Sequence, residues 1–145
     1  MRELERPEVY KLKECLEELA AHHNEVSRLF AGCYPKRPVS DTLASFEADV
    51  ESGRSRIAVI DGEGEILGFC KIDITGTDGK IDYLIVLRKA RGHGYGDRLI
   101  GWAMDVFGQS GVKTIELRVV DGNDAVSFYE KYGFRVSSLI MRKDI

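Results

Sequence analysis

Just past the middle of the chain, the near-continuous apolar run Ile81–Leu87 leads into a loop in which every second residue is glycine. That loop, Arg91-Gly92-His93-Gly94-Tyr95-Gly96, leads in turn into an amphipathic helix. An apolar run interrupted only by Asp82 reads as a central strand covered on both faces. The helix predicted from about Gly94 to Gln109 carries one apolar row, Tyr95, Leu99, Trp102 and Val106, widened by Ile100, Ala103 and Phe107. A row of that width packs against a sheet and leaves the opposite side to solvent. A strand buried on two faces needs further helices and strands around it, and the rest of the chain supplies them.

Upstream the hydrophobic period is helical. Residues from about Glu8 to Phe30 place Leu12, Leu16, Leu19 and Ala20 at helical spacing, with a break expected near His22-His23-Asn24. Tyr34-Pro35-Lys36-Arg37-Pro38 ends that segment, because neither proline can continue a helix. Ser40 or Asp41 is the expected N-cap of a second helix through Leu43, Phe46 and Val50, ending near Gly53. The pattern then becomes that of strands, Ile57–Ile60 and Ile66–Ile72, joined by the hairpin loop Asp61–Glu65. Thr75–Gly79 makes a second turn into the central strand. Beyond the glycine loop and its helix come a strand Thr114–Val120, a helix from about Asp124 to Tyr132, and a strand Arg135–Met141.

Two helices, a three-stranded meander and a helix-strand-helix-strand tail make an α/β (α+β) fold with a mixed, mostly antiparallel sheet flanked by helices. No linker or repeat divides residues 1–145, so the chain reads as a single domain, and 145 residues suffice for one core. The net charge of -3 offers no basic surface for nucleic acid. The longest apolar run is too short to cross a bilayer, and Met1-Arg2-Glu3-Leu4-Glu5-Arg6 does not open a secretory signal. A cytoplasmic location is expected. Cys15, Cys33 and Cys70 show no C-x-x-C spacing, and His22, His23 and His93 stand at no ligand spacing, so no metal site is expected.

The glycine loop points to phosphate chemistry. Glycines let backbone approach a ligand closely, and the first turn of the following helix offers unpaired N–H groups at the positive end of its dipole. Arg88, Lys89, Arg91, His93 and Arg98 crowd the same place in an otherwise acidic chain. The spacing excludes two common ligands. No Gly-Lys-Ser or Gly-Lys-Thr follows the glycines, as a Walker loop requires, and G-x-G-x-G with Asp97 next is not the dinucleotide register G-x-G-x-x-G.

The register that fits is R-x-x-G-x-G, formed by Arg91, Gly94 and Gly96. Here Val86–Gly96 resembles the cofactor motif of the GNAT superfamily of N-acetyltransferases. Asn123–Phe134, with Ala125, Phe128, Tyr129, Gly133 and Phe134, resembles that family's downstream N-x-x-A-x-x-F-Y-x-x-x-G-F motif. Two motifs in order, one helix and one strand apart, are more specific than either alone. One departure stands out: Asn123 lies six residues before Tyr129, where seven is commoner, so Gly122 falls in the usual Asn slot.

The resemblance implies a GNAT-like acyltransferase fold, acetyl-CoA as co-substrate, and transfer of the acetyl group to a primary amine of a small molecule or peptide. It implies that backbone amides of Gly92, His93, Gly94, Tyr95, Gly96 and Asp97 surround the pyrophosphate, while Arg91 and the other nearby basic side chains serve the outer phosphate less specifically. It also implies that Leu84, Ile85 and Val86 line the pantetheine arm where the central strand parts from its neighbour. Asn123 is a candidate cofactor contact, which its shortened spacing allows only if the turn before the helix is tighter, the alternative being that it makes no such contact. Tyr129 is the candidate acid for the departing thiolate, although its apolar helical stripe would equally suit a core tyrosine. Asp82 is the candidate base. It is the one acid in the strand, on the face of Leu84 and Val86 if alternation is unbroken; an ion pair with a nearby Lys or Arg is the competing role.

The acceptor groove is expected between the two N-terminal helices and the loops at Cys33-Tyr34-Pro35 and Gly76-Thr77-Asp78. Aromatic Phe30, Tyr34 and Phe46 and acidic Asp41, Glu47 and Asp49 lie in that region. Leu139-Ile140-Met141 suits a core strand, a sheet edge or a homodimer contact equally well. Two other classes stay open, a non-catalytic acyl-CoA-binding module and a nucleotide-binding domain of another kind.

Overall fold

A computed structural model describes all residues from Met1 to Ile145. Its five strands form one sheet in the order β1-β2-β3-β4-β5. They are β1 (Arg2–Glu3), β2 (Ser55–Asp61), β3 (Ile66–Thr75), β4 (Asp78–Val86) and β5 (Thr114–Leu117). The first three junctions are antiparallel, and β4 with β5 is parallel. The helix α3 (Tyr95–Gln109) makes the crossover between the parallel pair, as such a connection requires. α1 (Lys13–Val26) and α2 (Val39–Glu51) lie in the chain between β1 and β2, and the short α4 (Ala125–Glu130) follows β5.

Strand alternation divides the core in two. Ile57, Val59, Phe69, Ile85 and Leu87 face α1 and α2, joining Leu12, Leu16 and Phe46. Ala58, Ile60, Cys70, Ile72 and Ile81 face the other way, onto Leu99, Ile100, Ala103, Val106 and Phe107 of α3. The central strand is therefore covered on both faces, as its apolar run implies. Gly79 lets Phe107 lie flush on β4, since a Cβ there would stand 2.7 Å from the ring.

Several boundaries differ from the sequence expectation. The first helical segment opens as a 3-10 stretch, Arg6–Leu12, and α1 then runs without a break through His22-His23-Asn24 to Val26. Asn24 acts after the helix: its Oδ1 accepts from the Gly32 and Tyr34 amides at 2.9 Å each, and its Nδ2 donates to the Tyr34 carbonyl at 2.7 Å. Pro38, not Ser40 or Asp41, stands at the N-cap position of α2, with no side-chain cap.

The strand expected over Arg135–Met141 is absent. No backbone hydrogen bond ties this segment to the sheet. Leu139 and Met141 are 85% and 94% exposed, which excludes the core-strand reading of Leu139-Ile140-Met141. Alternating β-formers describe a segment able to pair, but a strand exists only where an edge meets it. This segment instead runs to the α1–α2 loop, where the Arg142 guanidinium lies 4.9 Å from the centre of the Phe30 ring.

Candidate active site

The site is built on a strand that loses one neighbour. β5 pairs with β4 only from Asp78↔Thr114 to Ile81↔Leu117, whereas β3 follows β4 as far as Val86. Beyond Ile81 one edge of β4 is open. Across the β3–β4 pair the Leu87 amide donates to the Leu67 carbonyl at 2.8 Å. Because antiparallel pairing turns alternate residues toward the partner, Ile85 and Tyr83 also face β3, while Leu84 and Val86 present N–H and C=O to the open edge. Of the three residues expected at the pantetheine arm, Leu84 and Val86 thus turn their backbone groups to the open edge. Ile85 is committed to β3, and its side chain is buried in the core on the α1–α2 side. Arg91 Nε donates to the Val86 carbonyl at 3.3 Å.

The glycine loop follows directly. Gly94, at φ 74°, is the N-cap residue of α3, a conformation any side chain would resist. The first bond of the helix runs from the Arg98 amide to the Gly94 carbonyl, so the amides of Tyr95, Gly96 and Asp97 have no partner within the helix. Gly96 differs from Gly92 and Gly94 in having no left-handed φ. A Cβ there would meet only the Phe128 ring, at an ordinary 3.5 Å. Neither backbone nor packing demands glycine at position 96, so its bare surface suits the close approach of a bound anion. The basic cluster is less free than its composition suggests. Arg88 pairs with Glu25 at 2.9 Å and Lys89 with Glu65 at 2.6 Å, while His93 lies beside Tyr95.

The second motif packs against the first through α4. Phe128 lies beside Gly96, and the Asp97 carboxylate accepts from the Tyr132 hydroxyl and the Lys131 ammonium. Tyr129 packs edge-on to Phe128 and Phe134, half-buried on the α3 side of the sheet. Burial pushes its phenol above the usual tyrosine range, with the nearby Cys70 adding to the effect. Asn123 serves the helix itself, its Oδ1 accepting from the Ala125 amide at 2.9 Å. Gly122, in the slot usually held by Asn, abuts α1 so closely that a Cβ would stand 2.0 Å from the Val26 carbonyl oxygen. Asp121 completes this junction, accepting from the Ser27 hydroxyl and the Arg28 amide at 2.9 Å each.

Known proteins share this fold. The family model described as Acetyltransferase (GNAT) family matches residues 13–134. The chain belongs to the GNAT acetyltransferase family. A tetramutant of the BH1408 protein from Bacillus halodurans is 25% identical with a TM-score of 0.78, covering 99% of this chain and 98% of that one. An acetyltransferase from Trypanosoma brucei (24% identity, TM-score 0.71, 99% and 97% covered) shares the fold. So does glucosamine-6-phosphate N-acetyltransferase from Arabidopsis thaliana (23%, 0.71, 99% and 95%). No curated protein matches the chain by sequence.

In this GNAT acetyltransferase Asp82 does not share the face of Leu84 and Val86. The β3–β4 register shifts between Lys71↔Tyr83 and Ile72↔Ile81, leaving Asp82 as an extra residue in a β-bulge. The bulge turns its carboxylate to the α2 side, where Oδ2 accepts from Lys71 Nζ at 2.7 Å and Oδ1 pairs with Lys80 Nζ at 3.2 Å. Unbroken alternation would have placed it opposite. Lys71, fully buried, is the functional candidate that sequence reasoning missed. The signal was present, since lysine in the middle of the strand Ile66–Ile72 requires buried partners. On the acceptor side Phe46 is core, stacked edge-on against Tyr83, and Asp49 is held by Lys71 and Arg54, so neither walls an open groove. Phe30 and Tyr34 remain partly exposed.

Proposed function

We propose that this protein is an N-acetyltransferase that moves the acetyl group of acetyl-CoA directly to a primary amine of a small molecule or peptide. The observation that carries this reading is the open β4 edge at Leu84 and Val86, ending at the glycine loop and the unpaired amides of α3. Those amides, with Gly92 to Gly94 and Arg91, suit the pyrophosphate. The N–H and C=O groups of Leu84 suit the amides of the pantetheine arm, and a Val86 N–H donor would polarise the thioester carbonyl.

The amine nitrogen attacks that carbonyl carbon, the C–S bond breaks, and Tyr129 gives its phenolic proton to the departing sulfur. The phenol then regains a proton from solvent. A phenol is ordinarily about 1.5 pKa units above a thiol, and burial pushes Tyr129 further up. A thiolate forming in the same apolar surroundings is pushed up too, as burial does to the neighbouring Cys70 thiol, so the two move together. For the proton lost by the amine we propose solvent as the acceptor, not Asp82, because both Asp82 oxygens already receive ammonium donors. Asn123 is proposed to act through the turn before α4 and not on the cofactor itself.

Acetyl-CoA use and three free cysteines support a cytoplasmic setting. A homodimer contact is proposed for the exposed Leu139-Ile140-Met141 segment. The decisive test has two parts. Acetyl-CoA should raise the melting temperature while ATP and NAD leave it unchanged, and a broad panel of primary amines should contain one that releases free thiol from acetyl-CoA. Equal stabilisation by ATP would refute the cofactor, and binding without thiol release from any amine would leave a binding module.

A further inference from the structure

Lys71 has no solvent exposure, yet its ammonium meets three carboxylates. Its Nζ lies 2.7 Å from Asp82, 2.8 Å from Asp73 and 3.1 Å from Asp49, with the Phe46 ring centre at 5.0 Å. An ammonium taken out of water is costly unless it is paired and hydrogen-bonded, and these partners meet that demand. They are not equivalent. Asp73 lies two residues along β3 from Lys71, and Asp49 belongs to α2. Asp82 is the extra residue of the β4 bulge, one position after the β4–β5 ladder ends at Ile81.

The bulged residue has no partner in either ladder, so side-chain contacts must hold it in place. Asp82 has two, Lys71 across the strands and Lys80 on its own strand, and only Lys71 is buried. We infer that Lys71 is a positioning residue that fixes the β4 bulge, and thereby the length of open strand edge against which acetyl-CoA is held. Without the ammonium, the carboxylates of Asp49, Asp73 and Asp82 would converge on one spot beneath α2. Moving Asp82 outward relieves that repulsion and relaxes the bulge. A register slip of one residue exchanges the groups facing each edge, which takes the Leu84 and Val86 amides away from the slot.

This inference rests on the acetyl-CoA reading, and its test separates the two. Lys71→Met, Asp82→Ala, their double variant and Asp73→Asn are compared by acetyl-CoA titration calorimetry and by amide hydrogen exchange at Leu84 and Val86. Lys71→Met and Asp82→Ala should each weaken acetyl-CoA binding about tenfold, within the usual range for coupling between sites. The double variant should do no worse than either single, because both break one link. Exchange at the two amides should change in all three. Asp73→Asn, which removes a different carboxylate from the same ammonium, should lower the melting temperature and leave affinity and exchange as they were. Loss of a general base would move neither readout. Should Lys71→Met not fold, Asp82→Ala carries the test, since it leaves the lysine with two carboxylates. Unchanged affinity and exchange in Asp82→Ala, or the same change in Asp73→Asn, overturns the inference. Wild-type protein that does not bind acetyl-CoA overturns the reading of the site, while exchange at Leu84 and Val86 still decides whether Lys71 holds the bulge.

Discussion

Gly96→Ala should strengthen the fold and weaken the cofactor site at once. Gly96 has no left-handed φ, and an added Cβ would touch only the Phe128 ring at 3.5 and 3.7 Å, which is ordinary contact. In a helix, alanine is favoured over glycine by about 0.5–1 kcal/mol, chiefly because the unfolded chain loses freedom. For a chain of this size that raises the melting temperature by about 1–4 °C. On the proposed reading a pyrophosphate approaches the amides of the first turn of α3, and the added methyl takes space from it there. Displacing one charge-assisted hydrogen bond costs about 1.5–3 kcal/mol, or roughly a tenfold to hundredfold loss of acetyl-CoA affinity. Gly94→Ala is the contrasting variant. It has open space around the Cβ but φ at 74°, so it should destabilise by about 1–2 kcal/mol. Differential scanning fluorimetry and calorimetric titration with acetyl-CoA read both quantities. A Gly96→Ala protein that binds acetyl-CoA as tightly as wild type refutes the assignment of that glycine to the phosphate, and a lower melting temperature refutes the packing argument.

Three further outcomes follow from the geometry. Tyr129→Phe should cut turnover by about 100-fold or more, the usual worth of a positioned acid, with acetyl-CoA affinity within about twofold; unchanged turnover removes Tyr129 as the proton donor. Gly122→Ala should cost at least about 2 kcal/mol in urea unfolding, because a left-handed φ coincides with a carbonyl 2.0 Å from the new Cβ, and a loss under about 0.5 kcal/mol would contradict this contact. The charge cluster at Lys71 should give a stability plateau bounded on both sides. Burial opposes the charge on Lys71, but Asp73 and Asp82 outweigh it and raise its pKa, so its contribution is whole below about pH 10.4 and is lost as pH rises through the raised value. Burial likewise opposes the charge on Asp49, but Lys71 and Arg54 outweigh it and lower its pKa, so its contribution is whole above about pH 3.9 and is lost as pH falls through the lowered value. Chemical unfolding across pH 2–11 checks both limbs, and Lys71→Met should flatten the alkaline one; an alkaline limb of the same steepness would assign it to other groups.

Much of the local structure at the candidate site was legible because its signals are local. The register of Arg91, Gly94 and Gly96 describes a turn and the first turn of one helix, and residues that close in the chain have few ways to sit relative to one another. The apolar row Leu99, Trp102 and Val106 fixed α3 against the sheet for the same reason, and the Phe128-Tyr129 motif fell on the helix that packs beside Gly96. What was misread depended on a partner strand. Alternation put Asp82 with Leu84 and Val86, but one extra residue opposite Lys71 turned its carboxylate to the other face. The same accounting decides that Leu84 and Val86, and not Ile85, turn their backbone to the open edge. Arg135–Met141 had the pattern of a strand and found no edge. Helical rows, turns and the glycine register are properties of neighbouring residues, so the amino-acid sequence by itself determines them. Which carboxylate meets a buried ammonium, and where one strand leaves another, depend on residues far apart in the chain, and only tertiary packing brings those together.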